Sequence, residues 1–180
     1  RYYDKWRSLT QDPGQRMIGV CRLKLEVPND LVYFKSALSR IAQVCDGVAI
    51  LLTANPLDVR HTVNWGRERT TLSERDIQML QECSADNAED GIDVVIPKVE
   101  EAFRSWLRDF LATVPEARFK AAGGNQSAVE VFRGETMNER VERNRSIEMA
   151  EGLGADWILS FDHDEFIENR VWRRHFDRCM

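Results

Sequence analysis

Four carboxylates lie close together near the end of the chain, directly after a short apolar run. The run spans residues 157–161, and the acids are Asp162, Asp164, Glu165 and Glu168. In an extended chain, side chains two residues apart leave on the same face, so Asp162 and Asp164 are expected to point the same way. Hard divalent cations such as Mg²⁺ and Mn²⁺ prefer oxygen ligands, often one or two carboxylates completed by water and substrate phosphates. This spacing predicts a metal site after the run.

The apolar run itself, WILSF, predicts a strand that positions the acids. A short, nearly continuous apolar run is typical of a strand buried on both faces in the middle of a parallel sheet. In open α/β sheets, ligands bind beyond the carboxyl ends of such strands. We therefore expect residues 157–161 to form a central strand, with the carboxylates at its ligand-binding end.

This arrangement resembles a known family. The motif Asp-His-Asp-Glu-Phe at residues 162–166, placed after an apolar strand, is similar to the metal-binding turn of glycosyltransferases with the GT-A fold, especially the family-2-like members. The preceding segment, ERNRSIEMAEGLGAD, is similar to the Arg-Asn-containing helix before that turn. The specific match covers residues 134–169, and a looser α/β pattern extends back to Met17.

The resemblance implies a nucleotide-diphosphate sugar donor, with a UDP-sugar expected, held through Mn²⁺ or Mg²⁺. It gives Asp164 the role of metal ligand, while Asp162 contacts the ribose or the water of the metal, and we assign both to the metal site. It also places Arg143 and Asn144 near the donor diphosphate. Arginine suits that position because its planar fork pairs with phosphate oxygens in a bidentate manner.

Two further donor contacts follow from the resemblance, Glu26 and Asp58. Both matches depart from the family pattern, because Leu25 and Thr53 stand where the family has an Asn and an Asp. The resemblance also implies that the general base and the acceptor region follow Met180. The chain would then carry an incomplete N-terminal half of the fold, and no general base or other catalytic residue is assigned.

Two other functions are compatible with the same motif. One is a non-catalytic GT-A-like module that binds a nucleotide or serves as a scaffold in a larger assembly. The other, less favoured, is a phosphatase of the haloacid dehalogenase type, which also places Asp-x-Asp at a strand end. In that class the motif lies on the first strand and continues to Thr or Val, whereas Phe166 stands here. A solvated acidic loop is the structural alternative to any site.

The N-terminal half of the chain reads as a βαβ unit. Residues 17–25 predict a first strand, and the Pro-Asn-Asp sequence at 28–30 begins a helix. Residues 48–52 predict a second buried strand after Gly47. A strand, a helix and a strand in such a short stretch imply a parallel pair. We expect residues 1–16 to be a lead-in and residues 17–180 to form one GT-A-like domain with a mostly parallel central sheet flanked by helices.

The remaining elements follow from periodicity. A helix is predicted from Leu72 to Glu82, capped by Thr71 or Ser73, and a third strand at IDVVIP, residues 92–97. An apolar stripe at helical spacing from Val99 to Val114 predicts a core helix. A fourth strand at 129–132 is followed by a helix at 135–153. In that helix Val141, Asn144, Ile147 and Ala150 share one face, so a buried Asn144 would need a polar partner.

The amino-acid composition limits the possible functions less strictly than the motif does. The formal charge of −5 argues against a dedicated nucleic-acid binder. No apolar run approaches the ~20 residues of a membrane-spanning helix. Cys21, Cys45, Cys83 and Cys179 form no CxxC pair and are expected to be reduced, mostly buried thiols. This usage leaves the compartment open and favours the cytoplasm over a lumen.

Overall fold

The computed structural model of the chain describes residues 16–25, 28–52, 72–83, 92–115, 117, 126–133 and 138–165. In chain order these residues form β1 (Met17–Leu23), α1 (Pro28–Val44), β2 (Gly47–Leu52), α2 (Glu74–Glu82), α3 (Ile92–Thr113), β3 (Ser127–Val131), α4 (Glu139–Gly152) and β4 (Trp157–Ser160). The predicted lead-in lies outside the described residues, apart from its last residue, Arg16.

The four strands form one parallel sheet in the order β3–β2–β1–β4. Within it, Ile18 of β1 lies between Gly47 of β2 and Ile158 of β4. The predicted α/β class, with a parallel sheet flanked by helices, is therefore confirmed. The parallel pairing of β1 with β2 across α1 is confirmed as well.

Helices cover both faces of this sheet. On one face, α1, α2 and α3 enclose the larger apolar cluster, to which β1 contributes Cys21 and Leu23. On the other face, α4 packs on β1 and β2, where Ile18 and Val20 meet Met149. Alternate residues of β1 thus enter two different cores, which is why its sequence is almost continuously apolar.

The helical stripes predicted from periodicity form the larger core. In α1 the buried residues are Leu31, Phe34, Leu38, Ile41 and Ala42, and in α3 they are Val99, Phe103, Trp106 and Leu107. The aromatic rings of Phe34, Phe103 and Trp106 contact one another at centroid distances of 5.2–6.3 Å. The interpretation of the α3 stripe as core packing is confirmed.

The predicted third strand, residues 92–97, is wrong. These residues form the first turns of α3, which runs unbroken from Ile92 to Thr113 with Pro97 inside it. The β-branched run suggested a strand, but Val95 and Val99 are both buried and continue the stripe backwards at a spacing of four residues. Pro97 is the sixth residue of this helix, beyond the first turn, so it removes one backbone hydrogen bond from the helix interior.

Within the described sheet, β4 does not occupy the central position that was predicted for it. β4 pairs only with β1 among the described strands and so forms an edge of the described sheet. Its Ile158 side chain is 40% exposed. Short apolar runs do not distinguish central strands from edge strands, because the pattern reports side-chain chemistry and not the number of neighbours.

The opposite edge of the sheet, at β3, is closed by side chains from α3. Arg104 Nη2 donates to the carbonyl of Val129 at 3.1 Å, and the backbone N–H of Val131 donates to Glu100 Oε1 at 3.0 Å. Since Glu100 and Arg104 lie one helical turn apart, one face of α3 satisfies the backbone groups that a further strand would otherwise pair with.

The face that α4 turns inward differs from the predicted one. Val141, Asn144 and Ile147 are all exposed, and the buried residues include Glu142 and Ser146. The Ser146 hydroxyl donates within its own helix to the carbonyl of Glu142 at 3.0 Å, and Glu142 accepts from Arg22 of β1. The inward face of α4 is therefore mixed: Glu142 and Ser146 are buried because they find partners, and Met149 and Ala150 pack on the sheet beside them.

A buried polar cluster joins α1, α2 and α3. Asp76 is 2% exposed, and its carboxylate accepts from Lys35 Nζ at 2.6 Å and from the indole N–H of Trp106 at 2.8 Å. It also accepts from the backbone N–H of Ser73, whose hydroxyl accepts from Asp76 N to complete a capping box. The predicted cap at Ser73 is confirmed.

Cys21, Cys45 and Cys83 are buried free thiols, as predicted, and Cys179 lies outside the described residues. Within the described ranges, no helix is both long enough and apolar enough to cross a membrane.

Candidate metal and donor site

The candidate site begins where β4 ends, at Phe161. Its backbone N–H donates to the carbonyl of Val20 at 3.0 Å, which continues the ladder with β1, and its ring is buried in the larger core. Gly19 lies against this ring: a Cβ at that position would be in ordinary contact with Phe161, at 3.4 Å, and would clash with Ile41 Cγ2, at 2.6 Å. The packing of Phe161 therefore fixes where the following carboxylates leave the sheet.

Residues 162–165 form a turn and not the extended segment that the sequence suggested. Glu165 N donates to the carbonyl of Asp162 at 3.1 Å, and Glu165 Oε2 accepts from Asp162 N at 2.9 Å. Glu165 thus closes the turn at both ends. The argument that Asp162 and Asp164 share a face because the chain is extended is consequently wrong.

His163 lies beside the first turn of α1. Its Nε2 atom lies 3.8 Å from Asp30 Oδ1, in the first turn of that helix, and the pair is ionic only when the imidazole is protonated. The contact brings the start of α1 and the end of β4 to one place. Asp30 was predicted to be part of a helix start but was not connected with the candidate site.

The carboxylates of Asp162 and Asp164 are exposed, and neither forms an ion pair or hydrogen bond with another residue of the described part of the chain. Neighbouring acids are engaged, for example Asp156, which accepts from Arg16 N at 2.6 Å. No group of three His, Cys, Asp or Glu side chains among the described residues is arranged to hold a metal ion. Mg²⁺ often takes only one or two carboxylates from the protein, and water and substrate phosphates complete its coordination. The two carboxylates of Asp162 and Asp164 are enough for a site of that kind.

The turn also lies at a special point of the topology. From β1 the chain moves outward through β2 to β3, and then returns to place β4 on the other side of β1. The two crossover helices, α1 and α4, pack on opposite faces of the sheet. The carboxyl ends of β1 and β4 therefore flank a topological switch point, the position at which open α/β sheets form a ligand crevice.

Arg22 is a basic residue at this end of the sheet that our sequence reasoning missed. Its guanidinium lies 3.4 Å from both Glu139 and Glu142, in the first turn of α4. The signal was a single charged residue inside the apolar strand MIGVCRL. The contact places the start of α4 beside the carboxyl end of β1, at the same end of the sheet as the Asp162 turn.

Four other residues were predicted to contact the donor, and the structure describes two of them, Arg143 and Asn144. Arg143 is exposed and donates to Glu139 at 2.6 Å, one turn earlier in α4, and Asn144 is exposed beside it. Both lie in the half of α4 nearer the carboxyl edge of the sheet. Glu26 and Asp58 lie outside the described residues.

The carboxylates make the interior beside the turn electronegative. Burial raises the pKa of the Cys21 thiol, and the nearby negative charge of Asp162 raises it further. Cys21 is therefore a protonated core residue at neutral pH and does not act as a nucleophile at this site.

Comparison with known proteins adds no family to this description. No family model matches the chain, and no curated protein or solved structure is significantly similar to it.

Proposed function

We propose that this chain binds a nucleotide-diphosphate sugar through a divalent cation and takes part in glycosyl transfer from that donor. The observation that carries the proposal is the position of two unengaged carboxylates, Asp162 and Asp164, at the switch point between β1 and β4. Exposed acids with no cationic partner in the described part of the chain repel each other, and a divalent cation relieves that repulsion.

Asp164 would hold the cation, and Asp162 would contact the donor ribose or a water of the cation, as the resemblance to GT-A glycosyltransferases implies. When bound, Mn²⁺ or Mg²⁺ stabilises the negative charge that develops on the leaving diphosphate. The residues of the chain hold the turn in place: Phe161 fixes its start, Glu165 closes it and His163 contacts α1.

Arg143 and Asn144 would contact the diphosphate from the start of α4. The guanidinium of Arg143 is held by Glu139 in a solvent-exposed pair, which is weak enough for a phosphate to displace. The first turns of α1 and α4 both lie at this end of the sheet, and the positive end of each helix dipole favours an anionic ligand there. A UDP-sugar is the donor that we expect.

The experiment is isothermal titration calorimetry of the chain with UDP in the presence of Mn²⁺. We expect binding that is abolished by EDTA, and Asp164→Asn should weaken it by more than about tenfold, since even outer partners of a metal site contribute 10- to 100-fold. The matched control is Glu151→Gln, which removes one exposed negative charge from the opposite end of α4. This control should bind UDP and Mn²⁺ as the unaltered chain does.

Absence of Mn²⁺-dependent UDP binding by the folded chain, or equal affinity in Asp164→Asn, would refute the proposal. Metal-dependent binding without sugar transfer by a polypeptide that includes all of its acceptor region would instead identify the non-catalytic GT-A-like module. Release of inorganic phosphate from a phosphate monoester would favour the phosphatase.

A further inference from the structure

The outer edge of β4 presents backbone groups that face away from β1. The N–H groups of Trp157 and Phe161 donate to Arg16 and Val20, so the odd-numbered residues of this strand point towards β1. In a parallel ladder the alternate residues, Ile158 and Ser160, then direct their N–H and C=O groups outward. Neither residue makes a hydrogen bond on that side within the described part of the chain.

The two edges of the described sheet are treated differently. At β3, Glu100 and Arg104 of α3 bind the outward backbone groups, as described above. At β4, the sequence WILS contains no Lys or Pro, the residues that protect exposed edges from pairing with another strand. The β4 edge is therefore competent to accept a strand.

Apolar side chains lie beside this edge. Ile158 is 40% exposed and lies in register with Ile18, on the α4 side of the sheet. Ile147 of α4 is also 40% exposed. It follows Arg145 by two residues, and Arg145 is bonded to Glu130 of β3, so Ile147 lies on the flank of α4 that is turned away from β3 and towards β4. A docked strand would bury both isoleucines.

The charges at the two ends of β4 determine which kind of strand can pair with its outer edge. Asp156 precedes β4, and Asp162 and Asp164 follow it, all three exposed. In an antiparallel pairing of two copies, with Ile158 opposite Ser160, Asp156 of each copy would lie opposite Asp162 of the other. This like-charge contact, added to a net charge of −5, disfavours self-association. Basic residues at both ends of the incoming strand would match these acids.

We infer that the β4 edge binds an extended peptide segment of a partner protein, with apolar residues in its centre and Lys or Arg at both ends, by strand addition. Backbone hydrogen bonds to Ile158 and Ser160 provide affinity, as in other complexes that extend a sheet. The terminal acids set the preference for basic flanks. This surface shares Asp162 and Asp164 with the metal and donor site, but backbone pairing along β4 requires neither a cation nor a nucleotide.

The probe is the acetylated and amidated peptide RTVTVTR, titrated into the full 180-residue chain in the presence of EDTA. Nuclear magnetic resonance should show the largest amide shifts at Ile158 and Ser160. Ser160→Pro removes the outward N–H while leaving the ladder to β1 intact, and it should weaken binding at least about fivefold, the value of one net hydrogen bond. Ser160→Ala keeps the N–H and should bind as the unaltered chain does.

The matched peptide ETVTVTE tests the charge preference. It should bind more weakly than RTVTVTR at low salt, and the difference should shrink at about 1 M salt, where exposed charges are screened. If Ser160→Pro does not fold, Ile158→Lys at an exposed position replaces it and should abolish binding of the basic peptide.

Three results would overturn the inference. The first is no binding of RTVTVTR, or equal binding by Ser160→Pro. The second is a dimer of the unaltered chain by light scattering that Ser160→Pro converts to a monomer, which would identify a second copy as the occupant. The third is slow hydrogen exchange at Ile158 and Ser160 in the chain alone, which would show that the edge is already covered. Loss of UDP binding in Asp164→Asn leaves the inference unaffected.

Discussion

Replacing Asp76 with alanine should lower the free energy of unfolding by about 3 kcal/mol, from the loss of buried hydrogen bonds and of a helix cap. The carboxylate is 2% exposed and accepts hydrogen bonds from α1, from α3 and from the cap of its own helix. Trp106 is 1% exposed, so its indole N–H would lose its acceptor without gaining water, at a cost of about 1–3 kcal/mol. Loss of the capping box on α2 adds about 1 kcal/mol.

Lys35 contributes less to this estimate. A quarter of its side chain is exposed, so the ammonium can turn to water when Asp76 is removed. We therefore discount the 3–5 kcal/mol typical of breaking a fully buried ion pair. A double-mutant cycle of Asp76→Asn with Lys35→Met measures the coupling of this pair separately from the other contacts.

The assay is urea unfolding at pH 7, followed by circular dichroism, with the slope against urea checked for constancy. The matched control is Asp109→Ala. Asp109 is also paired with an arginine, at 3.1 Å, but its side chain is 56% exposed, so the loss should stay below about 1 kcal/mol. If both variants lose the same stability, the buried cluster does not stabilise the contact between α1, α2 and α3 as we argue.

The same cluster predicts a pH dependence. Burial by itself would raise the pKa of Asp76, but the hydrogen bonds from Lys35, Trp106 and Ser73 outweigh burial and lower it. A lowered folded pKa contributes stability above the unfolded value of about 3.9, and that contribution is lost as the pH falls through the folded pKa. The stability difference between the unaltered chain and Asp76→Asn should be constant from about pH 5 to 7 and shrink below about pH 4.

Two further predictions concern packing in the same core. Gly19→Ala should cost about 1–3 kcal/mol by overpacking, because its Cβ would lie 2.6 Å from Ile41 Cγ2, and Ile41→Leu should recover part of the loss in the same urea assay. Gly152→Ala, which meets no atom within 4 Å, is the neutral control. Burial raises the pKa of Cys83 to about 12 and that of Cys21 still further, so iodoacetamide at about pH 8 should label neither thiol until urea unfolds the chain, as measured by mass spectrometry. Rapid labelling of either thiol in the folded chain would contradict the burial.

The sequence predicted the elements whose signals are local. The parallel βαβ unit of β1, α1 and β2 follows from two apolar runs on either side of a 3.6-residue stripe. A cap at Thr71 or Ser73 was predicted for α2, and the structure identifies Ser73, in a capping box with Asp76. The apolar stripe of α3 was predicted from Val99 onwards, but residues 92–97 were predicted to form a strand. A β-branched run matches a strand when it is considered apart from the helix that follows it.

The candidate site shows the same difference between local sequence signals and contacts made by tertiary packing. The Asp-His-Asp-Glu-Phe motif and its position after a strand could be read directly from the chain, whereas the divalent cation that it suggests stays a prediction. Its turn geometry could not, because the bond from Asp162 N to Glu165 and the contact of His163 with Asp30 depend on side-chain packing. Arg22 was missed because only the pairing of β1 and the docking of α4 bring it to the carboxyl edge.

By itself, the sequence determined the α/β class, the parallel first pair of strands, the helical core stripes and the location of the acidic motif, since each depends on residues near one another in the chain. The tertiary structure alone decided that β4 pairs with β1 on the side away from β2, that α4 buries Glu142 and Ser146 beside its apolar contacts and that α3 closes the β3 edge. These outcomes depend on which partners satisfy backbone and polar groups far apart in sequence, and hydrophobic periodicity carries no information about those partners.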